Sequence, residues 1–230
     1  MKAACFDFTI AYGGAPAGTI SLARRLSEKM EVQVLDVYGR CAEFGEAVAK
    51  AGLTYHVLFP EAKNLYVGHA GHPLKRAMTA ASQTGDFLRI RKRLAETLDR
   101  IDPDVIWVNN EKSLVFALGP FLRAQPAVVL YYRGWGTRDQ IGPFFRFLLK
   151  RRTEAIIVHS PLIADRLASY GIPREKLHAT PNAVGLSCSD SDLREGALDL
   201  PGRDRALKIL LPAARPVRVR AEGGETRQLR

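Results

Sequence analysis

Short apolar runs alternate with longer segments of helical period along residues 1–185. Runs rich in β-branched and aromatic residues predict strands, whereas apolar residues at every third or fourth position predict amphipathic helices. The predicted strands are residues 3–12, 32–37, 54–59, 104–109, 127–132 and 154–160. The predicted helices are residues 16–29, 43–51, 74–100, 112–123, 140–151 and 161–170. This alternation predicts βαβ units and an α/β fold, a Rossmann-like parallel sheet with helices on both faces.

The same pattern divides the chain into one domain and a remainder. Residues 1–185 form the predicted domain, and residues 186–205, rich in Ser, Asp and Gly, are typical of a linker. Residues 206–211 predict one further short strand, but residues 212–230 are rich in arginine and have no apolar period. We therefore expect residues 206–230 to be the remnant of a second domain followed by a basic tail.

The formal net charge of +10 raises the question of nucleic-acid binding. Residues 203–230 hold eight basic residues against three acidic ones, so half of the excess charge lies in the tail. The other basic residues lie mainly in two helical stretches, and neither stretch interleaves them with aromatic residues as single-strand binders do. No nucleic-acid partner is expected.

The sequence gives little sign of a membrane span, a disulfide framework or a metal site. No apolar run reaches the ~20 residues that a span needs, and no signal-type stretch follows the first residues. Cys5, Cys41 and Cys188 are far apart and form no CxxC pair. His69 and His72 have one-turn spacing, but a glycine and a proline beside them predict a loop. We expect a cytoplasmic protein with reduced thiols and no bound metal.

A glycine-rich loop lies between the first predicted strand and helix. Glycines let a ligand approach the backbone closely, and the free N–H groups at the start of a helix attract phosphate. We expect Gly13 and Gly14 to form a phosphate-facing loop. Two alternatives stay open: a tight structural turn, and a dinucleotide site with Asp36 as the ribose partner. The GxGxxG fingerprint is not met, because its middle glycine is one place early.

Two further groups of residues follow the fourth and fifth predicted strands, at the edge where open α/β sheets bind ligands. Asn110 and Glu111 follow one strand, and Arg133, Gly134 and Trp135 follow the next, so together they form a candidate rim for an acceptor. Arg133 suits a phosphate or carboxylate, and Trp135 suits the face of a sugar. The alternatives are a surface loop with an arginine salt bridge and, for Glu111, an acidic residue that opens a helix instead of a base. No catalytic residue is assigned.

Residues 142–152 combine three phenylalanines with a basic end. Such a segment suits the surface of an anionic membrane, into which its apolar face inserts. It equally suits a packed crossover helix whose C-terminal cations are favoured by the helix dipole. Both interpretations stay open.

Four segments in this order resemble the family 4 glycosyltransferases. They are the loop Gly13-Gly14-Ala15-Pro16, the segment Ile101-Asp102-Pro103-Asp104-Val105-Ile106-Trp107-Val108-Asn109, the turn Arg133-Gly134-Trp135, and the stretch from Ala155-Ile156-Ile157-Val158-His159-Ser160 through Pro181-Asn182-Ala183-Val184. Their order and spacing are similar to those of the N-terminal domain of that family over residues 1–185.

The resemblance implies half of a GT-B fold, from an enzyme that transfers a hexosyl group from a nucleotide-sugar to a glycan or lipid-linked acceptor. Such enzymes usually retain configuration and need no bound cofactor. By this likeness Gly13 and Gly14 offer N–H groups to the donor diphosphate, and Arg133 lies near the transferred sugar. The second domain, which carries most of the donor site, is expected to be largely missing, so the chain alone is expected to be inactive. Its expected location is the cytoplasm or, with peripheral membrane contact, the inner face of the membrane. A non-catalytic Rossmann-like module that binds a nucleotide or phosphate stays open as the alternative.

Overall fold

The computed structural model describes residues 1–62, 65, 73–117, 126–138 and 141–180, and for residues 73–81 it describes the backbone only. The predicted linker (186–205), the predicted remnant and tail (206–230), Cys188, His69 and His72 lie outside these residues. Strands and helices alternate throughout the described part. The strands are β1 (Lys2–Asp7), β2 (Glu31–Asp36), β3 (Thr54–Val57), β4 (Val105–Val108), β5 (Ala127–Tyr132), β6 (Ala155–Val158) and β7 (Leu177–Ala179). The helices are α1 (Gly14–Ser27), α2 (Ala42–Lys50), α3 (Pro73–Ile101), α4 (Glu111–Ala117), α5 (Pro143–Arg152) and α6 (Pro161–Ser169), and a 3₁₀ turn, Arg174–Lys176, precedes β7.

The seven strands form one parallel sheet in the order β3-β2-β1-β4-β5-β6-β7. The α/β prediction, a Rossmann-like parallel sheet, is therefore confirmed. Strands β4, β5 and β6 are buried at every position, as expected for parallel strands that are covered on both faces.

Two apolar cores lie on opposite faces of the sheet. One core contains side chains of α1 and α2, and the other contains side chains of α3, α4, α5 and α6. The helices therefore change face between the first two crossovers and the later ones. Because β1 and β4 are neighbours, this change occurs between their carboxyl ends, which is where doubly wound folds bind ligands.

Two helix boundaries have the causes that the sequence indicates. The Ser160 side chain accepts a hydrogen bond from the Leu162 N–H at 3.2 Å, and Pro161 occupies the first position of α6, where no N–H is needed. Helix α3 ends before Asp102, whose φ of 50° is left-handed, and Pro103 then prevents the helix from continuing.

Candidate functional site

The site lies where β1 and β4 end side by side, and its centre is a buried carboxylate. Asp7, the last residue of β1, accepts hydrogen bonds from the Phe8 N–H at 2.7 Å, from Asn110 Nδ2 at 2.7 Å and from Asn109 Nδ2 at 3.0 Å. The Ser113 hydroxyl lies 3.4 Å away. Burial raises the pKa of Asp7, and the hydrogen bonds oppose this shift only in part. Asp7 therefore links the ends of two strands to the start of α4, a role that is not predicted from the sequence.

The polar side chains around Asp7 are not all satisfied. Asn109 is buried, and its Oδ1 atom accepts no hydrogen bond within the described part of the chain. Buried polar atoms normally have a partner, because leaving one unpaired costs about 1–3 kcal/mol. A buried acceptor without a partner, near the crevice between β1 and β4, is a position that an enclosed ordered water would satisfy.

Arg133 extends from the turn after β5 to the first turn of α1. Its guanidinium donates hydrogen bonds to the Ala15 carbonyl and, over 3.2 Å, to the Thr19 hydroxyl, and it stacks on the Tyr131 ring at 4.5 Å from the ring centre. Its buried Nε atom has no acceptor among the described residues. Burial lowers the pKa of Arg133, and the negative charge of Asp7 opposes this shift. Arg133 is predicted from the sequence to lie on a rim that faces a ligand, and in the structure its terminal nitrogens hold the start of α1 in place.

The start of α1 is open to an approaching group. A side chain added at Gly13 or Gly14 would meet no atom within 4 Å. The first amide of the helix to bond back is that of Ala17, to the Gly13 carbonyl at 3.0 Å. The amides of Gly14 and Ala15 precede it and have no helical acceptor, and Pro16 has no N–H. The glycine loop thus presents two neighbouring donors to open space.

Asp36 does not serve as a ribose partner here. It is fully buried, and its carboxylate accepts hydrogen bonds from the amides of Thr9 and Gly39, both at 2.9 Å, and from the Tyr55 hydroxyl at 3.0 Å. Both oxygens are therefore used to hold the turns that follow β1 and β2. This geometry argues against the dinucleotide alternative.

The backbone of the turn after β5 is fixed by hydrogen bonds, and the turn exposes the Trp135 side chain to solvent. A side chain at Gly134 would lie 2.5 Å from the Tyr132 hydroxyl oxygen, which in turn accepts the Gly136 N–H at 3.1 Å. The Trp135 carbonyl accepts a hydrogen bond from Arg166 Nη1 at 2.8 Å. Trp135 itself is 71% exposed, so a fixed backbone carries a free aromatic surface.

Among the described residues, the indole has an aromatic neighbour in His159. Its ring lies edge-on to that of His159, with the ring centres 6.4 Å apart and an interplanar angle of 89°. His159 follows β6, so the carboxyl ends of β5 and β6 together form this aromatic surface.

Asn110 and Glu111 lie at the start of α4 and mainly stabilise that end of the helix. The Asn110 Oδ1 atom accepts the Ser113 N–H at 2.8 Å, which caps α4, and its amide group binds Asp7. Glu111 is the first residue of α4, where the helix dipole favours an acidic side chain. The structure brings both residues to the predicted edge and supports the helix-opening interpretation of Glu111.

Lys112 is a second residue of this edge that the sequence analysis missed. Its ammonium group donates to the Tyr38 hydroxyl at 3.0 Å and lies 4.1 Å from the centre of the Phe8 ring. Burial lowers its pKa to about 8, and the charge of Asp7 partly opposes this shift. Only the tertiary fold places these aromatic rings around the lysine.

Three features bear on cofactors and membranes. No three His, Cys, Asp or Glu side chains converge as a metal site would require, within the residues that the structure describes. Cys5 and Cys41 are buried and unpaired, and burial raises the pKa of both thiols. Of the helices described, none is long and apolar enough to cross a bilayer.

Comparison with known proteins adds a family and a fold. The family model for Glycosyltransferase Family 4 matches residues 12–187. The structure of HepE from Anabaena in complex with UDP-glucose superposes with a TM-score of 0.58 and 17% identity, over 84% of this chain and 48% of that chain. The apo structure of the lipopolysaccharide outer core galactosyltransferase WaaB gives 0.54 and 12% identity, over 89% and 50%. No curated protein sequence matches. The chain spans about half of the length of these two structures.

Proposed function

Because this chain belongs to glycosyltransferase family 4, we propose that it forms the N-terminal, acceptor-side half of a GT-B enzyme that uses a nucleotide-sugar donor. The observation that carries the proposal is the open start of α1, where the amides of Gly14 and Ala15 have no helical acceptor. Two N–H groups at the positive end of a helix dipole suit a diphosphate. The complexes of HepE with UDP-glucose and with UDP support a diphosphate donor.

Each part of the site then has a role in binding. Gly13 and Gly14 let the donor diphosphate approach the backbone, and Arg133 positions the first turn of α1 through Ala15 and Thr19. The negative charge of the diphosphate would also lie near the guanidinium group. The Nε atom of Arg133 is buried and has no acceptor among the described residues, so only an enclosed water could bind it without a movement of the side chain.

The acceptor is proposed to bind along the rim formed by Asn110, Glu111, Gly134 and Trp135. The exposed indole offers a flat apolar face, and the proposed acceptor is a glycan or a lipid-linked sugar. Transfer of a hexosyl group with retention is part of the proposal. It rests on the family alone, and no side chain of the described residues is assigned to the chemical step.

Binding and turnover of UDP-glucose by the 230-residue chain test this proposal. The chain spans about half of the length of the HepE structure, so we expect saturable binding without efficient transfer. Calorimetry measures binding, and release of UDP in the presence of oligosaccharides measures turnover. Failure to bind UDP, UDP-glucose or GDP-mannose would overturn the donor assignment. Sugar transfer at about 1 per second or faster would overturn the expectation that this half is inactive alone.

A further inference from the structure

Helix α5 carries an apolar surface that stays exposed in the part of the chain that the structure describes. One side of the helix packs into the core through Phe145, Leu148 and Leu149, which are buried. A second, exposed side presents Phe144, 65% exposed, and Phe147, 54% exposed. These two rings lie three residues apart on one helix and leave more than half of their surface in solvent, and a grouped exposed apolar surface points to contact with something else.

The charges of the same helix are all positive. Residues 143–152 contain Arg146, Lys150, Arg151 and Arg152 and no acidic residue. Lys150, Arg151 and Arg152 take part in no ion pair among the described residues. Phe144, Phe147 and Arg151 are spaced by three and four residues, so they share one stripe of the helix.

We propose that the α5 stripe, formed by Phe144, Phe147 and Arg151 with the flanking Lys150 and Arg152, docks this domain on the surface of an anionic lipid bilayer. The two rings enter the boundary between headgroups and acyl chains, and the cations bind the lipid phosphates. Charge complementarity selects this partner, because a neutral protein surface would leave several cations unpaired. The packed-helix interpretation is correct for the inner side of α5 and does not account for its outer side.

The position of α5 connects this surface with the site. The helix follows the turn that carries Trp135, and it begins at the carboxyl edge of the sheet. A bilayer held by α5 therefore lies beside the rim proposed for the acceptor, which favours an acceptor attached to a lipid. This last step rests on the proposed function, whereas the docking itself does not.

Sedimentation of the full chain with vesicles tests the docking. We expect binding to vesicles of phosphatidylcholine mixed with phosphatidylglycerol, and little binding to phosphatidylcholine alone. Phe144→Ser with Phe147→Ser leaves every charge in place, including those of the tail, and should weaken binding at least about tenfold. Arg151→Gln with Arg152→Gln should weaken it about fivefold for each residue removed.

Leu88 provides a matched control. It is 51% exposed and lies on α3 beside Arg89 and Lys92, which are also cationic. Leu88→Ser should leave vesicle binding unchanged. Equal binding by the double phenylalanine variant and the wild type would overturn the proposal, because attraction by charge alone would then explain the result. An equal loss in Leu88→Ser would also overturn it, and melting temperatures near the wild-type value ensure that each variant is folded.

These outcomes are independent of sugar transfer. A chain that fails to bind UDP-glucose but still binds vesicles through α5 would overturn the proposed function and leave the docking intact. A chain that binds UDP-glucose but fails to bind vesicles would overturn the docking and leave the proposed function intact.

Discussion

Replacing Gly14 with leucine should separate ligand binding from folding. Gly14 is the first residue of α1, and an added side chain would meet no atom within 4 Å. The folded chain therefore has open space where a side chain at this position would begin. A diphosphate that uses the amides of Gly14 and Ala15 would have to approach through the same space.

The expected changes in stability and in UDP affinity have opposite directions. Leucine has a higher helix propensity than glycine and reduces the freedom of the unfolded chain, so stability should be unchanged or rise by up to about 1 kcal/mol. For a chain of this size that corresponds to a rise in melting temperature of at most about 4 °C. Loss of one hydrogen bond to a charged oxygen costs about 1.5–3 kcal/mol, so the affinity for UDP should fall by about 10- to 150-fold.

Gly18→Ala is the matched control. It lies on the same helix, and its new methyl group would contact Arg133 Nη2 at 3.5 Å, an ordinary distance, away from the open start of the helix. Both variants are measured by calorimetric titration with UDP and by thermal unfolding. Unchanged UDP affinity in Gly14→Leu, whatever its melting temperature, would refute the donor role of this loop.

Three further predictions concern the surroundings of the site. Arg133→Ala should lower the free energy of unfolding by about 1.5–3 kcal/mol and also weaken UDP binding, because the contacts to Ala15 and Thr19 that fix α1 are lost. Arg133→Lys should restore only part of the stability and part of the UDP affinity. An unchanged melting temperature in the alanine variant would contradict this role. Gly134→Ala should lower the free energy of unfolding by about 1–3 kcal/mol, because its methyl group would lie 2.5 Å from the Tyr132 hydroxyl. The control Gly85→Ala, in open space on α3, should cause no loss of stability. Equal melting temperatures for the two variants would show that no steric clash exists at Gly134. The pKa of Lys112 is lowered to about 8 in the folded state, so the unfolded chain binds more protons than the folded chain between pH 8 and about 10.5. Raising the pH through this window should therefore increase the free energy of unfolding of the wild type relative to Lys112→Met in denaturant titrations. A stability difference between the two that is independent of pH would show that the lysine is not desolvated.

The sequence allowed the alternation of elements to be predicted, but not all of their ends. Strand β1 was predicted to reach residue 12, yet it ends at Asp7, whose carboxylate accepts the next amide. Phe8 and Thr9 are buried without being part of the sheet, so an apolar run alone overestimates the strand. The seventh strand was missed because Leu177–Ala179 is a short edge strand with half-buried residues and no apolar run.

The candidate site was predicted in outline for a topological reason. Loops that follow parallel strands meet at one edge, so the glycine loop and the turn at Arg133 had to be close. The contacts between them could not be predicted. A single acidic residue at the end of a strand, such as Asp7, has no distinctive pattern, and the aromatic surroundings of Lys112 come from the residues that follow β1 and β2. The direction of the Arg133 side chain depends on the packing of α1.

The central claim is that the start of α1 receives the diphosphate of a nucleotide-sugar. Titration of the isotope-labelled chain with UDP-glucose, followed by the backbone amide resonances, tests it directly. We expect saturable shifts at Gly14 and Ala15, with little change at Gly85 on α3. Saturable shifts that leave Gly14 and Ala15 unchanged would contradict it, since the donor would then bind elsewhere on this domain.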